Sequence, residues 1–150
     1  MLSHRAKYAF RALLLLAQEA GDRPLLIADI AKRQKVPKKF LELILLDLKR
    51  SGLVRSFRGR HGGYVLARPA DTIFFGQIIR LMDGPLAAIP CASLTAYRRC
   101  ADCQDESSCA IRRVFRQVRD ATAAILDRTS LADVMNKTKP SALAEAGVMF

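Results

Sequence analysis

Residues 37–68 read PKKFLELILLDLKRSGLVRSFRGRHGGYVLAR and combine a helical pattern with a hairpin pattern. Its first half predicts an amphipathic helix that starts near Pro37 and ends at Gly52. The apolar residues at helical spacing on its predicted inner face are Phe40, Leu41, Ile44, Leu45 and Leu48. The second half holds two short runs rich in β-branched and aromatic residues around a glycine-containing loop, which predicts a β-hairpin.

The segment before this stretch predicts a second, shorter helix. Residues 26–34, LIADIAKRQ, place apolar Ile27, Ile30 and Ala31 on one face, and residues 35–36 interrupt the pattern. Two helices with a tight break between them form a helix-turn-helix pattern, and a basic hairpin after it makes a winged helix. A longer helix is expected upstream over residues 3–20, with Ser3 as its cap and Gly21 as its stop.

The start of the second helix of this motif is expected to read DNA. Lys38, Lys39 and Glu42 would meet bases or phosphates in the major groove. An acidic residue repels phosphate, so Glu42 suggests base reading, for example by accepting a hydrogen bond from a cytosine amino group. The alternative for Glu42 is a helical pair with Lys38.

The hairpin loop is expected to grip the adjacent groove or the DNA backbone. It contains Arg58, Gly59, Arg60 and His61, whose glycine allows positive φ and whose cations can face phosphates. The charge distribution agrees with this, since residues 1–70 carry 15 Lys/Arg against 5 Asp/Glu and residues 71–150 carry 10 against 9. A basic half joined to a near-neutral half indicates polyanion binding by the first.

The second half predicts a helix over residues 72–84, a loop over 85–106 and a long helix over 107–128. The long helix has one continuous apolar stripe: Ile111, Val114, Phe115, Val118, Thr122 and Ile125. Its expected partners are the first helix and the same helix of a second subunit, which gives a twofold dimer; the alternative is packing within its own chain. The fold class is therefore mainly α with a small β-hairpin. The predicted parts are a winged helix-turn-helix over 1–70, a sensor loop and dimerisation helix over 71–135, which includes a last short helix in SLADVM, and a mobile tail over 136–150.

All four cysteines lie within 19 residues, in the spacing C-x8-C-x2-C-x5-C: Cys91, Cys100, Cys103 and Cys109. We expect a cytoplasmic protein with reduced thiols, because no apolar run approaches the roughly 18 residues that span a bilayer. Four thiolates can hold a [2Fe–2S] or [4Fe–4S] cluster or tetrahedral zinc, and they can also form a metal-free thiol switch. Arg98 and Arg99 are expected to lower the pKa values of the thiols.

No arrangement of residues indicates an enzyme. The chain has two histidines, His4 and His61, and neither belongs to a Ser/His/Asp pattern, a carboxylate pair or a phosphate-binding glycine loop. A regulator is therefore expected. The alternative is a nucleic-acid-binding protein with a structural zinc site.

The chain resembles the Rrf2-type bacterial transcription regulators over about residues 1–135. The resemblance lies in SHRAKYAFRALLLLA, in the stretch quoted first, in FFGQIIRLMDG and in the cysteine loop before LDRTSLADV. It implies a homodimeric winged-helix protein that binds a palindromic operator, with an iron–sulfur cluster on the loop cysteines of some members. The family includes the iron–sulfur cluster regulator, the nitric oxide-sensing repressor and the rhizobial iron regulator.

The sequence departs from this family at the fourth cluster ligand. Cys91, Cys103 and Cys109 match the usual three cysteines. Arg112 stands where one branch has a ligand histidine, and Lys7 stands where another has an acidic ligand from the partner subunit. We therefore expect the additional cysteine, Cys100, to complete an all-cysteine site.

Overall fold

The computed structural model describes residues 2–19, 21 and 23–136 of the chain. Its helices are α1 (His4–Gln18), α2 (Ile27–Gln34), α3 (Lys38–Arg50), α4 (Phe75–Asp83), α5 (Ala110–Leu126) and α6 (Leu131–Met135). One antiparallel hairpin joins β1 (Val54–Phe57) to β2 (Gly63–Leu66), and single 3-10 turns lie at Ala70–Thr72 and Pro90–Ala92. The predicted fold class, mainly α with a winged helix-turn-helix and a long C-terminal helix, is confirmed. Apart from Asn136, the predicted mobile tail lies outside the described residues.

Local signals set the helix ends as expected. The Ser3 hydroxyl accepts a hydrogen bond from the Ala6 amide at 3.0 Å, so Ser3 caps α1. The helix ends at Gln18, two residues before the predicted end at Ala20, which is not among the described residues. Lys35 adopts a left-handed conformation with φ of 53°, and this residue makes the tight break between α2 and α3.

One hydrophobic core includes residues of α1, α2, α3, α4 and α6. Helix α3 buries Leu41, Ile44, Leu45 and Leu48 completely or nearly so. Phe40 was expected beside them, and that prediction is wrong because Phe40 is 54% exposed. It lies at the outer edge of the buried stripe and meets the Tyr8 ring edge-on, with ring centroids 6.4 Å apart.

The hairpin is docked on the segment that follows α1. The Tyr64 amide donates to the Leu25 carbonyl at 2.8 Å, and the Leu25 amide donates to the Tyr64 carbonyl at 3.0 Å. Gly63, with φ of 140°, makes this approach possible, because a Cβ there would collide with the Leu25 carbonyl. The wing is thus held against the body of the helical domain at the first residues of β2.

Helix α5 leaves this core and returns to it through α6. The Phe75 amide donates to the Thr129 carbonyl and the Leu131 amide donates to the Ile73 carbonyl, each at 2.9 Å. Ser130 caps α6 in a reciprocal pair of hydrogen bonds with Asp133, which confirms the last short helix. The C-terminal end of α5 is therefore fixed to the same body that carries the helix-turn-helix and the hairpin. Among the described helices, none is long and apolar enough to cross a bilayer.

Candidate DNA-binding surface and cysteine loop

The first turns of α3 present the predicted DNA-reading side chains to solvent. Lys38, Lys39 and Glu42 are all exposed. None of the ion pairs within the described part of the chain includes Glu42, so the alternative pair with Lys38 is not formed. These three side chains are free to meet a ligand.

Three apolar side chains of α3 are also exposed, and the sequence analysis did not predict their exposure. Phe40, Leu43 and Leu46 are 54%, 65% and 40% exposed. They follow one another at intervals of three residues, off the buried stripe of the helix. The signal was present in the sequence: α3 has more large apolar residues than one core-facing stripe can hold. Exposed apolar groups on such a helix suit contact with thymine methyl groups.

The wing loop is tight, and its predicted contact residues are exposed. Arg58, Gly59, Arg60 and His61 all face solvent, and Gly59 has φ of 100°. The Gly62 amide donates to the Gly59 carbonyl at 3.0 Å, and a Cβ on Gly62 would collide with the carbonyl of Phe57. The glycines thus shape a short loop that carries two arginines and a histidine.

Both ends of the cysteine loop are attached to α5. Cys91 is buried in the turn Pro90–Ala92, and its carbonyl accepts a hydrogen bond from Nε of Arg112 at 3.0 Å. The neighbouring Ala92 carbonyl accepts one from Nη1 of Arg119. At the other end, Cys109 is the N-cap of α5, and its Sγ accepts from the Arg112 amide at 3.4 Å. Residues at both ends of the loop are thus in direct contact with α5.

The structure brings two of the four sulfurs together. Sγ of Cys100 donates to Sγ of Cys91 across 3.7 Å. Two thiolates on one tetrahedral metal, each about 2.3 Å from it, lie about 3.8 Å apart, so this pair has the spacing of two ligands of one metal ion. Cys103 and Cys109 are half-buried, and no set of three potential ligands converges within residues 2–19, 21 and 23–136.

The pKa of one loop thiol departs from the predicted lowering by neighbouring arginines. The hydrogen bond to Cys91 raises the pKa of the Cys100 thiol, so the expected lowering is wrong for Cys100. Arg99 instead donates from Nη2 to the carbonyls of Cys103 and Gln104, at 3.2 and 3.4 Å. Its guanidinium therefore holds the backbone of the loop.

Hydrogen bonds between polar residues link positions within the middle of the cysteine loop. The Tyr97 hydroxyl donates to Oε1 of Glu106 at 2.5 Å, and this bond raises the pKa of Tyr97. Hydrogen bonds from Ser107 and Ser108 lower the pKa of Asp105 to about 2. The loop is therefore folded on itself through its own side chains.

The long helix keeps part of its apolar stripe open to solvent. Ile111, Val114 and Val118 are 64%, 51% and 47% exposed. Packing against the described residues of the same chain therefore leaves these three side chains largely uncovered. Phe115, Thr122 and Ile125 are half-buried.

Comparison with known proteins gives consistent matches over nearly the whole chain. The family model of Rrf2, described as an iron-dependent transcriptional regulator, matches residues 2–137. An rrf2-like HTH-type transcriptional regulator of Rhodobacter capsulatus is 44% identical over 95% of this chain and 97% of its own length. The structure of CymR, the global cysteine regulator of B. subtilis, matches with a TM-score of 0.75 at 31% identity, over 93% of this chain and 98% of that one. The structure of T. potens IscR matches with a TM-score of 0.72 at 28% identity, over 100% of this chain and 93% of that one.

Proposed function

The chain belongs to the Rrf2 family of helix-turn-helix transcription regulators, and we propose that it is a cytoplasmic homodimer whose operator binding is controlled by its four-cysteine loop. Its relatives are transcription regulators and not enzymes. In this proposal residues 1–70 read DNA, and residues 71–135 sense the signal and form the dimer.

The DNA surface consists of the start of α3 and the wing. Lys38, Lys39 and Glu42 enter the major groove, and the wing residues Arg58, Gly59, Arg60 and His61 grip the neighbouring groove or backbone. Exposed Leu43 adds a contact for a thymine methyl group. A twofold dimer would present two such surfaces, so the operator would be palindromic.

The exposed stripe on α5 supports the dimer. Ile111, Val114 and Val118 lie at helical spacing on one face and have large apolar surfaces in water. The same helix of a second subunit has the matching stripe, and an isologous contact would bury both.

The donor set of the loop fits an iron–sulfur cluster. Cys91, Cys100, Cys103 and Cys109 supply the four thiolates that a [2Fe–2S] or [4Fe–4S] cluster needs, and the 3.7 Å pair supports Cys100 as the fourth ligand. When bound, such a cluster would supply a centre that responds to iron, oxidants or nitric oxide. Arg112 cannot be a ligand, because guanidinium stays protonated, and it holds the backbone of Cys91 instead.

The observation that carries the proposal is the attachment of both loop ends to one helix. Arg112 and Arg119 hold the carbonyls of Cys91 and Ala92, and Cys109 caps the first turn of α5. A rearrangement of the loop would shift or release α5. Since α5 would also form the dimer contact, the separation of the two recognition helices would change with it.

The experiment is a metal analysis of protein purified without oxygen, in wild-type and Cys100→Ser forms. Broad visible absorption with iron and sulfide in matching amounts is expected for the wild type, and a weaker or lost signal is expected for Cys100→Ser. One zinc per chain in a colourless protein would favour the alternative, a nucleic-acid-binding protein with a structural zinc site, and removing that zinc should then unfold the loop.

The contact between Cys91 and Cys100 favours a second candidate, a metal-free thiol switch. At 3.7 Å the two sulfurs need only a small approach to form a disulfide. With hydrogen peroxide as the oxidant, the two thiols would lose two protons and two electrons, and the peroxide would become two waters. If reconstitution with iron and sulfide fails but peroxide links these two cysteines and changes DNA binding, the switch replaces the cluster.

A further inference from the structure

A groove of about 830 Å³ lies between the C-terminal end of α1, the segment that follows it and the β-hairpin. We call it the basic groove. Apolar side chains line part of it, namely Leu16, Leu25, Tyr64 and Leu66, and arginines from four separate segments line the rest. A volume of this size lies within the range of small-molecule sites, roughly 300–1,000 Å³.

No acidic side chain among residues 2–19, 21 and 23–136 forms an ion pair with the arginines of the basic groove. These arginines are Arg23, Arg55, Arg58, Arg60 and Arg68. Glu19 also lines the groove, but its carboxylate is already paired with Arg33 at 2.6 Å. The groove therefore has a strong excess of positive charge around apolar side chains.

Arg68 lines the groove and has a guanidinium nitrogen without a hydrogen-bond partner among the described residues. Its Nη2 donates to Oε1 of Gln77 at 2.7 Å, which is a neutral partner. Its Nε is buried and has no hydrogen-bond partner in the described part of the chain. Burying a charged donor without a partner costs free energy, and a bound anion would satisfy it.

We propose that the basic groove binds a small organic anion with an apolar body, of the class of aromatic or acyl carboxylates and phosphates. The concave shape and the apolar lining favour such a ligand over a DNA backbone, which needs cations but no apolar contact. Arg58 and Arg60 belong both to this groove and to the wing, so a bound anion competes with DNA for the same cations. The groove is then an effector site, and it does not depend on the cysteine loop.

The test uses 1-anilinonaphthalene-8-sulfonate as the anionic probe and N-phenyl-1-naphthylamine as its neutral counterpart with the same aromatic body. Binding is measured by fluorescence titration with full-length protein. The sulfonate is expected to bind the wild type at least about tenfold more tightly than the neutral dye. Arg68→Gln should remove most of that difference. Arg128→Gln, which changes an exposed arginine outside the groove, should keep it.

Three outcomes decide the proposal. Equal affinity for the two dyes, or sulfonate affinity that Arg68→Gln leaves unchanged, overturns it. If Arg68→Gln leaves dye binding unchanged but weakens binding to unrelated duplex DNA, the groove belongs to the DNA surface. Circular dichroism checks folding, and if Arg68→Gln does not fold, the exposed Arg55→Gln takes its place with the same expected loss.

Discussion

The guanidinium of Arg119 donates a hydrogen bond to the carbonyl of Ala92, and Arg119 is only 8% exposed although it lies on a helix with an open apolar face. Its Nε also bonds to Oδ1 of Asp120 at 2.8 Å, so its charge is paired. Arg112, two helical turns earlier, holds the adjacent carbonyl of Cys91. The neighbouring carbonyls of Cys91 and Ala92 thus accept hydrogen bonds from two arginines that lie two helical turns apart on α5.

Arg119→Gln is expected to loosen this attachment. The Ala92 carbonyl would lose its charged donor, and the free energy of unfolding should fall by roughly 1–3 kcal/mol in urea. Cys91 is 5% exposed in the intact protein, so its alkylation by a maleimide should also become faster. Arg116→Gln, at an exposed position on the same helix, is the matched control. Unchanged alkylation of Cys91 in Arg119→Gln would contradict the attachment.

Gly76→Ala is expected to break the contact between α4 and the end of α5. Arg80 binds Asp127 through two hydrogen bonds, of 2.6 and 2.9 Å, and a Cβ on Gly76 would collide with that carboxylate. The cost should be roughly 1–3 kcal/mol in thermal or urea unfolding. In the double variant with Asp127→Ala the collision is gone, so the two losses should not add. Strict additivity would show that Gly76 matters for another reason.

The same ion pair predicts a pH dependence of stability. A hydrogen bond from Arg80 lowers the pKa of Asp127. Its contribution is therefore present above the unfolded pKa of about 3.9 and is lost as the pH falls through the lower folded value. Both side chains are more than a third exposed, so the contribution should stay below about 1 kcal/mol. The stability difference between wild type and Asp127→Asn should be present at pH 6 and should shrink below pH 4. A difference that grows with acid would contradict this.

Two variants of α3 should separate backbone binding from base reading. Lys39→Gln should weaken binding to every duplex and reduce the slope of log affinity against log salt by about one. Leu43→Ala should leave that slope unchanged and lower the preference for a selected operator over unrelated DNA, because the apolar contact is lost. Fluorescence anisotropy at several salt concentrations measures both. Equal effects of Leu43→Ala on all sequences would remove Leu43 from the reading surface.

The sequence predicted the parts of the fold that depend on local signals. Ser3 as a cap, the break before α3 and the glycines of the wing follow from chemistry within a few residues. The prediction that Phe40 is buried was wrong, because helical spacing defines an apolar stripe but does not show how wide the core beneath that stripe is. The bonds from Arg112 and Arg119 could not be predicted, since they join residues 21 and 27 positions apart. The requirement for glycine at position 76 could not be predicted either, because a side chain there would collide with the carboxylate of Asp127, which is 51 residues later.

The most direct test compares DNA affinity in two states of the cysteine loop. Protein purified without oxygen is titrated onto an operator selected from random duplexes, before and after treatment with a chelator and an oxidant. The affinity is expected to change between roughly five- and 150-fold in the wild type, which is the usual size of coupling between two sites. Cys100→Ser should show no such change. Identical wild-type affinity in both states would contradict control by the loop.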